Sequence, residues 1–324
     1  MTKKALKAAF AAGTVLSLAL AVYADSHRML CTGFLPENDL KIEVDDVNAA
    51  GIEQGRFEDV LDRIQQVYEP IVAAKGGKLV IKRLWDNPTV NASAQQSGGK
   101  FIINMYGGLA RHPAITEEGF ALVACHEMGH HIGGYPKMSW ATNEGGSDYF
   151  ATLKCLRLIL PSKAPSGTVD PVAGRGCDQQ FGDEASRNQC GNNALAGQSV
   201  AFLFQALRGG QTPPTFGTPD NSVSDRMDNA HPDTQCRLDT YFQGALCTAP
   251  LSQDVSNDDP TAGACTRKGG YELGLRPRCW YKPPADEPTQ NEAPSMAAKP
   301  VLPEAQALGR RLDALKAALS GRGV

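Results

Sequence analysis

Thr116-Glu117-Glu118-Gly119-Phe120-Ala121-Leu122-Val123-Ala124-Cys125-His126-Glu127-Met128-Gly129-His130-His131-Ile132-Gly133-Gly134 reads as one helix with both ends written into the sequence. Thr116 can cap it, Glu117 and Glu118 meet the positive end of the helix dipole, and Gly133-Gly134 can end it. The run makes about five turns. His126 and His130 are four residues apart, so both imidazoles leave one face about 5–6 Å apart at Cβ and can converge on one cation. Glu127 stands beside them, and Phe120, Leu122 and Val123 ahead of them predict the buried setting that a rigid metal site needs.

The pattern His126-Glu127-x-x-His130 is the signature in which two histidines bind zinc and the glutamate, as general base, deprotonates the water that the metal activates. A third ligand has to come from elsewhere, and Asn143-Glu144-Gly145-Gly146-Ser147-Asp148 offers two carboxylates four apart. On a helix capped by Asn143 they share a face, so Glu144 is assigned to the metal and Asp148 to the free N–H of a ligating histidine. The opposite order, with Asp148 as ligand, is the alternative. Gly145 and Gly146 weaken a helix at this point. His131 lies about 100° around the helix from His130 and is not expected to bind the same ion, while His112 and His27 carry no site pattern.

With 324 residues, 42% of them hydrophobic, and a net charge of −3, the chain has an ordinary globular balance, and nothing in it points to nucleic acid. Residues 1–24 read as a secretory leader: Lys3, Lys4 and Lys7, an apolar run from Ala8 to Val22, and a small-residue cleavage site ending at Ala24. No later stretch is long and apolar enough to cross a bilayer. All nine cysteines follow the leader, which predicts a disulfide-bonded protein exported to the periplasm or the medium. Cys125, mid-helix and pointing away from the metal face, is expected to be the free thiol. If Cys236 and Cys247 share a helix they stand roughly 16 Å apart, too far to bond to each other, so each must reach another segment. Cys265 and Cys279 are the nearest in sequence.

Helical spacing of Phe57, Val60, Leu61, Ile64, Val67, Tyr68 and Ile71 predicts a helix over 55–74, followed by a strand over 78–85. Val90-Asn91-Ala92 leads, through a turn at Ser97-Gly98-Gly99, to a second strand over 100–104, and the strands are expected to form a small antiparallel set beside the metal helix. Such a sheet offers a peptide an edge to add to. Apolar helices are expected over 149–160 and 193–207, with a Pro/Gly/Ser-rich loop stapled by Cys177 over 161–187 and a Pro/Gly-rich link over 209–220. Pro232 can open a helix with His231 just outside its N-terminus. Beyond Cys247 the chain to Tyr281 reads as loop or hairpin. Residues 282–303 have a disordered composition, and 304–324 carry an amphipathic helix able to dock on the body or a partner.

Val90-Asn91-Ala92, Gly98-Gly99, Gly107-Gly108-Leu109, Thr116-Glu117-Glu118, His126-Glu-Met-Gly-His130, Glu144-x-x-Ser147-Asp148 and His231-Pro232 with Arg237 together resemble the catalytic region of the gluzincin metallopeptidases typified by CAAX prenyl protease and the heat-shock peptidase HtpX. The resemblance covers about residues 55–238 in pieces. It implies a zincin-like α+β fold with one zinc per chain, His231 stabilising charge on the scissile carbonyl, Arg237 bracing the zinc-site carboxylates, and substrate pairing along Val90, Asn91 and Ala92. The catalytic core is placed at about 55–247 within a domain spanning 25–281.

The expected activity is that of an exported zinc endopeptidase acting on peptides or proteins. The rival reading is a non-catalytic envelope binding or chaperone protein stabilised by zinc, which would need a fourth protein ligand such as Cys125 or His131. A metzincin would need a histidine six residues after His130, and that residue is Pro136.

Overall fold

The computed structural model describes residues 33–208 and 212–288. The predicted leader, the tail helix over 304–324, Cys31 and most of the Pro-rich stretch lie outside the described residues. Helix α1, Gln54–Ala74, buries Phe57, Val60, Leu61, Ile64, Tyr68 and Val72, the face its spacing predicts. It stops where Gly76 takes a left-handed φ of 77° and the Lys75, Gly76 and Gly77 amides close on the Val72 and Ala73 carbonyls.

Strands β1 (Lys78–Leu84), β2 (Ala92–Ser97) and β3 (Lys100–Tyr106) follow. Gly98 and Gly99 both have positive φ, 55° and 73°, which a two-residue hairpin turn requires, and β2 pairs antiparallel with β3. The sheet is mixed, not antiparallel throughout: its order is β1-β3-β2, and β1 runs parallel to β3 from Lys78 opposite Lys100 to Leu84 opposite Tyr106. Segment 85–91 carries the chain across to the far side of β3's position, so β3 inserts between the two earlier strands. This leaves β2 at the edge, against the metal-motif helix.

After the short helix α2, Gly107–Arg111, the buried helix α3 runs from Glu117 to Ile132. Thr116 Oγ1 accepts from the Gly119 amide at 3.1 Å, the cap its position predicts. Strands β4 (Lys137–Met138) and β5 (Ala141–Thr142) form a small ribbon leading to α4, Glu144–Phe150. Helix α4 continues without a break through a π turn, Ala151–Cys155, into α5, Leu156–Ile159.

Two cysteine expectations meet different outcomes. Cys125 is not free: it is bonded to Cys155 on the π turn, which ties α3 to the helix beside it. Cys236 bonds Cys279 and Cys247 bonds Cys265, each reaching out of one helix as expected. The expected loop over 161–187 contains a helix, α6, Pro171–Gln180, capped by Asp170 and stapled through Cys177–Cys190 to α7, Glu184–Arg208. Helix α8, Thr234–Leu246, packs on α7 and α4. The main core lies between α1, the sheet, α3 and α7, where Phe57, Phe120, Ile103 and Leu203 are all fully buried. No helix of the described residues is long and apolar enough to cross a membrane.

Candidate metal centre

Helix α3 and helix α4 approach closely because of one glycine. A Cβ on Gly129 would stand 2.9 Å from Ser147 Cα, so only glycine at this position lets α4 lie against the motif face. Gly145 plays a similar part on the other side of α4, where the Trp280 ring fills the space a Cβ would need. These contacts explain how α4 stays helical through two glycines that weaken it in isolation.

The packing brings His126, His130 and Glu144 together, with one ligand atom from each lying within 4.8 Å of the others. Glu144 Oε2 is 3.2 Å from His126 Nε2, and Glu144 Oε1 is 3.7 Å from His130 Nε2. Asp148 sits behind the group: its Oδ1 accepts from His126 Nδ1 at 2.7 Å, so the opposite nitrogen faces Glu144. His130 Nδ1 donates to the Thr142 carbonyl at 2.9 Å, which turns its Nε2 the same way. Of the two acidic residues, Glu144 therefore stands in the ligand group and Asp148 behind it.

Arg237 holds Asp148 through two bonds of 2.7 Å, Nε to Oδ2 and Nη2 to Oδ1, and Tyr241 donates to Oδ1 at 2.9 Å. All three side chains are buried. A bidentate buried pair of this kind fixes geometry as well as charge. Tyr241 has no motif to announce it. It lies four residues after Arg237 and thus on the same face of α8, which is the one signal available in the sequence.

His231 precedes α8, and its Nε2 lies 3.4 Å from Glu144 Oε2 while donating to the Gly33 carbonyl at 2.9 Å. Val90, Asn91 and Ala92 sit at the β2 edge, where residues 33–42 pair with them. His131 donates from Nε2 to the Ile102 carbonyl at 3.1 Å and stacks on Phe101, so it faces the sheet. With Cys125 in a disulfide, neither of these two candidates for a closing fourth ligand reaches the group.

Charges in the group are strongly coupled to burial. Burial alone would lower His126, but Asp148 and Glu144 outweigh it and raise it to about 9. Burial pushes His130 down to about 3 and the Glu127 carboxyl up to about 8. Glu144 is held well below the carboxylate range: burial opposes this, and His130 and His126 overcome it.

Burial and donor chemistry both fit a metal. His126 Nε2, Glu144 Oε2 and both Glu127 oxygens are buried with no hydrogen-bond partner, a costly state that buried polar atoms rarely keep. Two imidazoles and one carboxylate are a zinc-type donor set that leaves a coordination position open. A second cluster among the described residues, Asp220 with Cys236 and Cys279, offers no thiolate because its cysteines are bonded to each other. No protein-family model matches the chain, and comparison with curated proteins and with solved structures finds no match.

Proposed function

We propose that this chain is an exported zinc endopeptidase of the gluzincin type. The observation that carries the reading is the buried group of His126, His130 and Glu144 with the unpartnered carboxylate of Glu127 on the same helix. Zinc held by those three residues would supply a water of lowered pKa and a Lewis acid for a peptide carbonyl. Glu127 takes the proton from the attacking water and returns it to the leaving amine. His231 Nε2 donates to the carbonyl oxygen as it gains charge. Arg237, through Asp148, keeps His126 oriented, and the four disulfides suit an oxidising compartment. Residues 33–42 hold the edge at residues 90–92, so a peptide substrate gains main-chain bonds there only by taking their place.

Glu127→Gln tests the mechanism: the variant should bind one zinc and hydrolyse unfolded casein about a thousandfold more slowly or worse. A variant as fast as the parent overturns it. A second reading draws on the 3.4 Å between His231 Nε2 and Glu144 Oε2. His231 as a fourth ligand would close the site, as a zinc-stabilised binding or chaperone protein requires. A cobalt-substituted protein whose visible spectrum is unchanged by His231→Ala excludes that reading.

A further inference from the structure

The substrate edge is already taken by the chain itself. The Phe34 amide donates to the Ala92 carbonyl at 2.8 Å, and the Leu35 amide donates to Asn91 Oδ1 at 3.0 Å while Asn91 Nδ2 returns a bond to the Leu35 carbonyl at 3.3 Å. Farther on, Lys41 bridges Thr89 in antiparallel sense and Ile42 donates to the Pro88 carbonyl at 2.9 Å. The segment therefore meets residues 88–92 in antiparallel sense at two points, Phe34 against Ala92 and residues 40–42 against residues 88–90, with a bent stretch between them.

At its N-terminal end this segment reaches the candidate metal group. The Gly33 carbonyl accepts from His231 Nε2 at 2.9 Å, and the next carbonyl, Phe34, accepts from Arg237 Nη1 at 3.1 Å. The Phe34 ring is fully buried, edge-on to His126 at 4.9 Å and beside Phe204 at 5.4 Å. Gly33 has a φ of 147°, and a Cβ there would stand 2.8 Å from Asn91 Nδ2, so this close approach needs glycine. A main-chain bond to the edge, a carbonyl at the oxyanion donor and a side chain in the pocket beyond it are what a bound peptide would present.

We propose that the Gly33–Phe34 peptide bond is the chain's own first substrate and that the zinc-loaded protein cuts it in cis. The inference rests on the peptidase reading. Water adds across the bond: its oxygen goes to the Gly33 carbonyl carbon as the new carboxylate, the C–N bond breaks, and Glu127 delivers the proton to the Phe34 nitrogen. The cut releases everything before Phe34, including Cys31, and keeps the eight cysteines that are paired in the structure.

The test starts from the exported chain purified metal-free. On adding zinc, intact mass and N-terminal sequencing should show Phe34 as the new first residue, at a first-order rate unchanged by tenfold dilution, with Glu127→Gln uncut. A readout without catalysis comes from the metal-free Glu127→Gln chain, in which the Phe34 and Leu35 amides should exchange slowly and Gly33→Val should speed them at least tenfold. Gly33→Val should also slow the self-cleavage at least tenfold. A protein that hydrolyses casein while its N-terminus stays upstream of Phe34 overturns the proposal and leaves the peptidase reading standing, with Gly33–Leu35 a fixed wall of the site. A rate that scales with protein concentration, or fast exchange at Phe34 and Leu35, overturns it too. A zinc-loaded chain that cuts neither casein nor itself removes both.

Discussion

Replacing Asp148 by Asn asks how much of the site depends on the charge behind it. Asp148 is fully buried and accepts four bonds, from His126 Nδ1, Arg237 Nε, Arg237 Nη2 and Tyr241. A neutral amide in its place would leave the Arg237 guanidinium, 1% exposed, without a counter-charge. Removing one member of a buried pair costs about 3–5 kcal/mol, because the partner stays desolvated and uncompensated. The metal-free variant should therefore unfold at lower urea by that amount, and its zinc affinity should fall about 10–100-fold through loss of the His126 anchor. The double variant Asp148→Asn with Arg237→Met removes the orphaned charge. It should recover most of the stability and none of the affinity. Urea unfolding with a competitive zinc titration on the four proteins of this cycle reads both quantities. If Asp148→Asn costs under about 1 kcal/mol, or if the double variant is no more stable than the single one, the buried pair is not what holds His126.

Gly129→Ala should lower stability by about 1–3 kcal/mol, since the added methyl drives α3 off Ser147, and should weaken zinc binding with it; thermal unfolding and zinc titration check both. Replacing Cys125 and Cys155 by Ala should cost about 2–4 kcal/mol in urea and leave the other three bridges intact by mass mapping. The Asp148 carboxyl is held below its ordinary value of 3.8: burial opposes this, and Arg237 and His126 outweigh it. Its contribution is fully present above about pH 4 and is lost as pH falls through the lower folded value. Acid unfolding of the metal-free protein should therefore be steeper than that of the double variant lacking this pair.

Much of this architecture is legible in the residues, and the failures have physical causes. Helix α3 carries its cap, its acidic first turn and its histidine spacing in one run, so its existence and face follow from local rules. The hairpin from β2 to β3 is announced by Gly98-Gly99, where two positive φ values are needed. That β1 lies parallel to β3 is not announced, because burial patterns report faces and say nothing of strand direction. Cys125 points away from the metal face as its position predicts, but its partner Cys155 lies on an apolar helix whose approach depends on Gly129 and Gly145. Helix α6 is hidden by the composition of its surroundings, although Asp170-Pro171 is a capping signal: Asp170 Oδ1 accepts from Val172 and Ala173.

The candidate metal group is readable because His126, His130 and Glu144 follow helical spacing and a cap. Residues 33–35 are not, since a short stretch with no periodicity gives no sign of the edge it will join. Asn91 illustrates the difference: its place beside the site follows from its neighbours, whereas its side-chain bonds to Leu35 depend on a segment 56 residues away.

The most direct test of the peptidase account is zinc content measured together with hydrolysis of unfolded casein, on parent and Glu127→Gln proteins, with and without chelator. The account predicts one zinc per chain in both proteins, chelator-sensitive cleavage by the parent, and none by the variant. One zinc per chain in a parent that cleaves nothing, or cleavage that survives both chelator and Glu127→Gln, would contradict it.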